Sequence, residues 1–220
     1  MRYRLRYDAV FYDFDGTLAD TVPMIVKTFQ AAFQEITGEK KDEAFLLSTI
    51  GLPLWDAFSA YDSDTQKALF DAYQKYNARF LVTEVAEFPG IREGLESVRK
   101  LSVLQGIVTS KRQETADITI KQFGLEKFFD ICVYRDDTKV HKPNPEPIFR
   151  AMEMAQITDA SRVLYVGDSV HDLRCANRAG ADSAAVLWTY MPKEELQAEK
   201  PTYWLKTLGD ISCILTDSEL

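Results

Sequence analysis

Between Ile91 and Leu187 the chain alternates helix and strand, and this pattern constrains the fold more than any other feature. Apolar runs at Val103–Val108, Phe129–Tyr134, Arg162–Val166 and Asp182–Leu187 alternate with amphipathic stretches at Ile91–Lys100, Glu114–Phe123, Pro145–Gln156 and Val170–Ala179. Gly124 and Gly180 stand where two of these helices should stop, and Pro145 where another should begin. Strands that are apolar almost throughout need cover on both faces, which is the condition of a parallel sheet flanked by helices. An earlier run, Val10-Phe11-Tyr12, supplies a first strand that ends abruptly in Asp13-Phe14-Asp15-Gly16. The expected fold is therefore α/β, a doubly wound, Rossmann-like, mostly parallel sheet.

The first crossover departs from that plan. A strand–crossover–strand unit needs about a dozen residues, yet residues 19–86 separate the first strand from the next helix–strand pair. That segment has helical texture. Val22, Ile25, Phe29, Ala32, Phe33 and Ile36 recur at helical spacing, and Gly38 follows. Asp42–Thr49 and Leu54–Tyr61 read as shorter helices, and Ser63-Asp64 opens a long one carrying Leu69, Tyr73, Tyr76 and Phe80. Phe88-Pro89-Gly90 marks the return. The expected organisation is a core of 1–18 and 87–220, with an α-helical cap inserted at 19–86. The tail reads as a helix near 193–198, a short apolar piece at Tyr203-Trp204-Leu205, and a last helix over 208–215.

Composition excludes several functional classes. A net charge of −8 argues against nucleic acid, whose phosphates need a basic face. Cys132, Cys175 and Cys213 are odd in number and widely spaced, with no Cys-x-x-Cys, which fits reduced thiols of a cytoplasmic protein. The apolar run after the arginines of Met1–Tyr7 is broken by Asp13 and Asp15, so no signal peptide is expected. No window approaches the ~18 apolar residues of a membrane span.

In open parallel sheets ligands bind beyond the carboxyl ends of the strands. The polar residues there are Asp13 and Asp15, then Thr109 and Ser110, then Asp168 and Asp172, with Lys142 in the loop His141-Lys142-Pro143-Asn144-Pro145. Asp13 and Asp15 repel each other unless something positive lies between them, and a hard divalent cation such as Mg2+ is the natural candidate. Taken alone, Asp-x-Asp-Gly also reads as a solvated surface turn. With the other residues it makes a set suited to phosphoryl transfer: nucleophile, proton donor, phosphate binders and metal ligands.

Asp13-Phe14-Asp15-Gly16-Thr17-Leu18, the strand ending in Thr109, Lys142, and Gly167-Asp168-Ser169-Val170-His171-Asp172 resemble, in order, the four motifs of the haloacid dehalogenase (HAD) superfamily. The resemblance covers essentially the whole chain and implies a role for each residue. Asp13 would be the nucleophile that forms an aspartyl-phosphate. Asp15 would protonate the leaving oxygen and then activate water. Thr109 and the backbone amide of Ser110 would bind the phosphoryl oxygens, and Lys142 would neutralise charge on Asp13 and on the transferring group. Mg2+ would be held by Asp13, Asp168 and the carbonyl of Asp15, with Asp172 supporting the metal or Lys142.

A carboxylate at Asp15 is similar to the phosphohydrolase pattern and unlike the dehalogenases, which lack one there. Ile50-Gly51-Leu52-Pro53-Leu54 resembles the cap loop of phosphoglycolate phosphatase-like members rather than the arginine-bearing loop of β-phosphoglucomutases. The implied activity is Mg2+-dependent hydrolysis of a small phosphorylated metabolite, 2-phosphoglycolate-like, with inorganic pyrophosphatase or a β-phosphoglucomutase-like phosphomutase as alternatives. Outside enzymes, a receiver-like phosphoacceptor and an inactive binding module remain. A monomer or homodimer is expected.

Other residues carry weaker expectations. Lys111 reads equally as a substrate contact and as a solvated lysine. Lys27 and Arg79 read as solvated helix faces, and Trp55, Phe58 and Tyr61 as core. His141 and His171 lack a second ligand at zinc spacing. Cys175 reads as packing.

Overall fold

The computed structural model describes residues 5–50 and 52–216, so Met1–Arg4 of the basic lead, Gly51 of the loop at 50–54 and Asp217–Leu220 lie outside the described residues. The chain divides into two compact units. One takes the chain up to Ala19 and from Glu87 onward, and the other is Asp20–Ala86.

The first unit is built on six strands: β1 (Ala9–Tyr12), β4 (Leu104–Val108), β5 (Ile131–Val133), β6 (Val163–Gly167), β7 (Asp182–Val186) and β8 (Tyr203–Leu205). Their order is β5-β4-β1-β6-β7-β8, and every neighbouring pair is parallel. The fold is thus α/β and Rossmann-like. Strand β1 is buried at every residue, so side chains of both faces are excluded from water. One of its core clusters joins Phe11, Val108, Ile148, Tyr165 and Cys175, which confirms Cys175 as a packing residue. Helices α4 (Ile91–Lys100), α5 (Gln113–Gln122), α6 (Glu146–Met154), α7 (Val170–Ala179), α8 (Lys193–Ala198) and α9 (Asp210–Leu215) complete the unit. The chain builds the sheet outward from β1 on one side as far as β5, then returns to β6 on the other side. The reversal flanks β1, where such sheets bind ligands.

The apolar piece at 203–205, left unassigned from sequence, is the edge strand β8, with Ala184, Ala185 and Val186 opposite Tyr203, Trp204 and Leu205. Three residues are too few to show a period, so the partner strand decides their conformation.

The second unit packs α1 (Val22–Ile36), α2 (Glu43–Thr49) and α3 (Ser63–Phe80). The two-residue strands β2 (Ala19–Asp20) and β3 (Ala86–Glu87) mark the points where the chain passes between units. Asp42 caps α2 by accepting from Phe45 N at 2.8 Å, and Asp62 caps α3 by accepting from Thr65 N at 3.1 Å. Phe29 packs against Tyr73 and Phe58, with ring centroids 4.6 and 5.6 Å apart. Phe33 meets Phe58 at 5.7 Å.

Two expectations for this unit need correction. Leu54–Tyr61 is not an α-helix; only Asp56–Phe58 forms a short 3-10 turn. The segment's backbone bonds are mostly of the tighter three-residue kind, Phe58 N to Trp55 O, Ser59 N to Asp56 O and Tyr61 N to Phe58 O, and such runs stay short. Trp55 is also not core: it is 42% exposed, whereas Phe58 is fully buried. Lys27 lies over the Phe80 ring and pairs with Glu84 at 2.5 Å, so it is a partnered surface lysine. No described helix is long and apolar enough to cross a membrane.

Candidate active site

Asp13 is the first residue after β1. Its backbone N–H donates to Val166 O at 2.9 Å, so the β1–β6 ladder fixes the carboxylate's starting point. The chain then turns tightly: Leu18 N and Ala19 N both donate to Phe14 O at 3.0 Å. Gly16 has φ +80°, and a Cβ there would lie 2.4 Å from Asp168 Oδ2. Glycine is needed for both the backbone conformation and the approach of that carboxylate.

Asp168 follows β6, and Ser169 is the N-cap of α7. Ser169 Oγ accepts from Asp172 N at 3.3 Å, while Asp172 Oδ2 accepts from Ser169 N at 3.1 Å. This reciprocal box holds Asp172 at the third helical position. Gly167 is equally constrained, since a Cβ there would lie 2.3 Å from the Asp172 Cβ. The Ser-x-x-Asp spacing is that of a capping box, and it explains the position of Asp172.

Lys142 is the hub. Its Nζ donates to Asp13 Oδ1 at 2.7 Å, to Asp172 Oδ1 at 2.7 Å and to the Tyr165 hydroxyl at 3.0 Å. The Tyr165 hydroxyl in turn donates a hydrogen bond to Val108 O at 2.9 Å. The loop carrying Lys142 is tied to α7, because Arg178 donates to Pro143 O at 3.0 Å and Cys175 Sγ to Asn144 O at 3.0 Å. Tyr165 was missed from sequence, where it reads as one more large residue in an apolar strand.

Asp13, Asp168 and Asp172 are all buried, and one oxygen of each lies within 4.8 Å of the others. The Lys142 ammonium is bonded to two of these three carboxylates, Asp13 and Asp172. Burial pushes the Asp13 carboxyl up to about 7, with Lys142 pulling against the rise. Burial, then the charges of Asp172 and Asp13, also hold Asp168 well above the usual carboxylate range. Asp172 differs: burial raises it, but the charge and hydrogen bond of Lys142 prevail and hold it below its ordinary value. Lys142 stays charged despite burial because Asp13 and Asp172 flank it. The site thus gathers three buried carboxyls, two of them pushed toward the protonated form without a cation, in an oxygen-only donor set. That chemistry fits a hard divalent cation such as Mg2+. Asp172 spends its oxygens on Lys142 and Ser169, which leaves Asp13 and Asp168 as the better side-chain donors.

Thr109 ends β4. Its backbone N–H donates to Val133 O at 3.0 Å, and its Oγ1 accepts from Lys111 N at 3.2 Å, turning the chain. Ser110 Oγ is buried and has no hydrogen-bond partner among the described residues. A buried hydroxyl without a partner is uncommon and fits a site whose ligand supplies the acceptor. Asp15 is not part of the three-carboxylate cluster. Both its oxygens are taken by Lys111 Nζ, at 2.9 and 3.2 Å. Lys111 is therefore not a solvated lysine; its side chain is 9% exposed. Burial lowers the His171 imidazole.

The family model of haloacid dehalogenase-like hydrolases matches residues 10–186. Pyrophosphatase PpaX of Bacillus cereus strain Q1 is 32% identical over 215 residues, covering 97% of this chain and 98% of its own. Pyrophosphatase PpaX of Bacillus velezensis is 31% identical over 206 residues, covering 94% and 95%. Among solved structures, a haloacid dehalogenase-like family hydrolase from Streptococcus pneumoniae superposes with a TM-score of 0.83 at 24% identity, covering 94% of this chain and 97% of its own, and supports the fold. The chain therefore belongs to the haloacid dehalogenase-like hydrolases, as an enzyme of that family's phosphatase kind.

Proposed function

We propose that this enzyme is a Mg2+-dependent phosphatase that hydrolyses a small phosphorylated metabolite through an aspartyl-phosphate on Asp13. The observation that carries this reading is Lys142 Nζ placed 2.7 Å from both Asp13 and Asp172, beside Asp168. Asp13 offers one carboxylate oxygen for attack while the other is fixed by Lys142. Asp15 would protonate the leaving oxygen and later take a proton from the attacking water. Thr109, Ser110 and Lys142 would hold the phosphoryl oxygens. Asp13, Asp168 and the carbonyl of Asp15 would hold Mg2+. The bound cation would supply positive charge against the negative charge on the equatorial oxygens, the main requirement of phosphoryl transfer. Residues 20–86 are read as the cap that selects the substrate.

Candidate substrates are 2-phosphoglycolate and, given the names of the relatives, inorganic diphosphate. The test is hydrolysis of a panel of phosphorylated metabolites with and without Mg2+, by wild type and Asp13→Asn. Wild type should turn over at least one substrate only with Mg2+, and Asp13→Asn should be folded and inactive. Mg2+-dependent turnover by Asp13→Asn would remove the nucleophile assignment.

A further inference from the structure

Lys111 lies outside the set of residues that would hold the transferring phosphoryl group, yet its side chain is largely buried against Asp15. Its Nζ spans both oxygens of Asp15, at 2.9 and 3.2 Å. An ammonium has three N–H donors. Asp15 accounts for two, and no other acceptor for Lys111 Nζ appears among the described residues.

The charged side chains differ in exposure. Asp172 is 1% exposed, Lys142 4%, Lys111 9%, Asp13 11% and Asp15 17%. Asp15 is therefore the most exposed of the set, and Lys111 is bonded to it. In the phosphatase reading the phosphoryl group would sit against Asp13 and Lys142, and the leaving group would lie beside Asp15, which would protonate it. Any group hydrogen-bonded to Asp15 lies one further hydrogen-bond length from Lys111 Nζ. A carboxylate or phosphoryl group one or two bonds beyond the leaving oxygen falls within that reach.

We propose that Lys111 is a specificity-determining residue whose ammonium binds a negative charge on the leaving group, so the enzyme selects substrates whose leaving group is itself anionic. Two chemistries share this property: an α-carboxylate beside the ester oxygen, as in 2-phosphoglycolate, and a second phosphoryl group, as in inorganic diphosphate. The inference rests on the phosphatase reading above and narrows its substrate class. A lysine serves this task as a compact point charge that can turn from Asp15 toward the ligand without leaving its own site. The adjacent Ser110 Oγ, buried and without a partner, marks the same turn as built around a ligand.

The test compares kcat/KM on pairs that differ in leaving-group charge, with Mg2+ present: 2-phosphoglycolate against ethyl phosphate, both with primary alkoxide leaving groups, and separately inorganic diphosphate. Wild type should favour at least one anionic-leaving-group substrate over ethyl phosphate. Lys111→Met should lose ~10- to 100-fold on that substrate, the range of one charge-assisted hydrogen bond, mostly in KM. It should lose less than ~3-fold on ethyl phosphate, and Lys111→Arg should keep most of the preference. Which anionic substrate collapses distinguishes the carboxylate from the phosphoryl source. Equal losses on both members of the pair would mean that Lys111 acts only through Asp15, and would overturn the inference. So would a wild type that prefers ethyl phosphate, or a Lys111→Met that loses nothing. A wild type with no Mg2+-dependent hydrolysis of any substrate would instead overturn the phosphatase reading itself.

Discussion

Replacing Lys142 with methionine should unbalance the buried charge of the sheet unit, and the structure sets the size of the effect. Lys142 Nζ is bonded at 2.7 Å to Asp13 and to Asp172, and its side chain is 4% exposed. Methionine fills most of the volume but leaves two buried carboxylates without their cation. Removing one partner of a buried ion pair costs about 3–5 kcal/mol, chiefly through the charge left behind. Against a typical folding stability of about 5–15 kcal/mol the loss is large. With a urea slope of about 2 kcal/mol per molar, the unfolding midpoint should fall by roughly 2 M. The measurement is urea unfolding at pH 7.5 in the presence of a chelator, followed by tryptophan fluorescence in a Trp55→Phe background. Trp188 and Trp204 then report on the sheet unit alone. Two controls make the cause specific. Lys142→Met with Asp172→Asn should be less destabilised than the sum of the single changes, because the second removes a charge that the first left unpaired. Lowering the pH to 5 should also shrink the Lys142→Met penalty, since the carboxylates can then bind protons. A Lys142→Met protein within about 0.5 kcal/mol of wild type at pH 7.5 would refute the electrostatic account.

Metal-free protein should show a distinctive pH dependence from Asp13, whose carboxyl is raised from 3.8 to about 7 in the fold. Between those values the folded state holds a proton that the unfolded state has released, so stability should fall as pH rises through this window. Stability increasing over the same range in chelator would contradict the assignment. For the same reason Mg2+ binding should release protons and weaken as pH falls below about 7, which calorimetry in buffers of different ionisation enthalpy measures directly. Gly16→Ala places a Cβ 2.4 Å from Asp168 Oδ2 at a φ of +80°. It should cost about 1–3 kcal/mol in strain and weaken Mg2+ binding, whereas wild-type affinity in that variant would show that Asp168 has room to move aside.

Much of the sheet unit was legible because its signals are local and repeated. Each apolar strand is bounded by a turn or cap residue, and the acids Asp13 and Asp168 sit where an apolar run stops. The parts that were not legible depend on tertiary partners. Strand β8 exists because β7 offers it an edge. Leu54–Tyr61 carries aromatic residues at helical spacing, yet its backbone closes three-residue bonds that make only a short 3-10 turn. Tyr165 looks like any core residue until its hydroxyl is seen accepting from Lys142. Lys111 could have faced solvent from its place before α5; only the chain's return brings Asp15 beneath it, 96 positions away in sequence.

The central claim is that Asp13 carries the phosphoryl group during turnover. The direct measurement is an acid quench of the enzyme in steady state with Mg2+ and its best substrate, followed by mass analysis of the peptide containing Asp13. The account predicts that a fraction of that peptide gains the mass of one phosphoryl group, that the gain is lost in alkali as an acyl phosphate should be, and that Asp13→Asn shows none. Full turnover with no phosphorylated Asp13 peptide under quench conditions that preserve acyl phosphates, or the label on another residue, would contradict it.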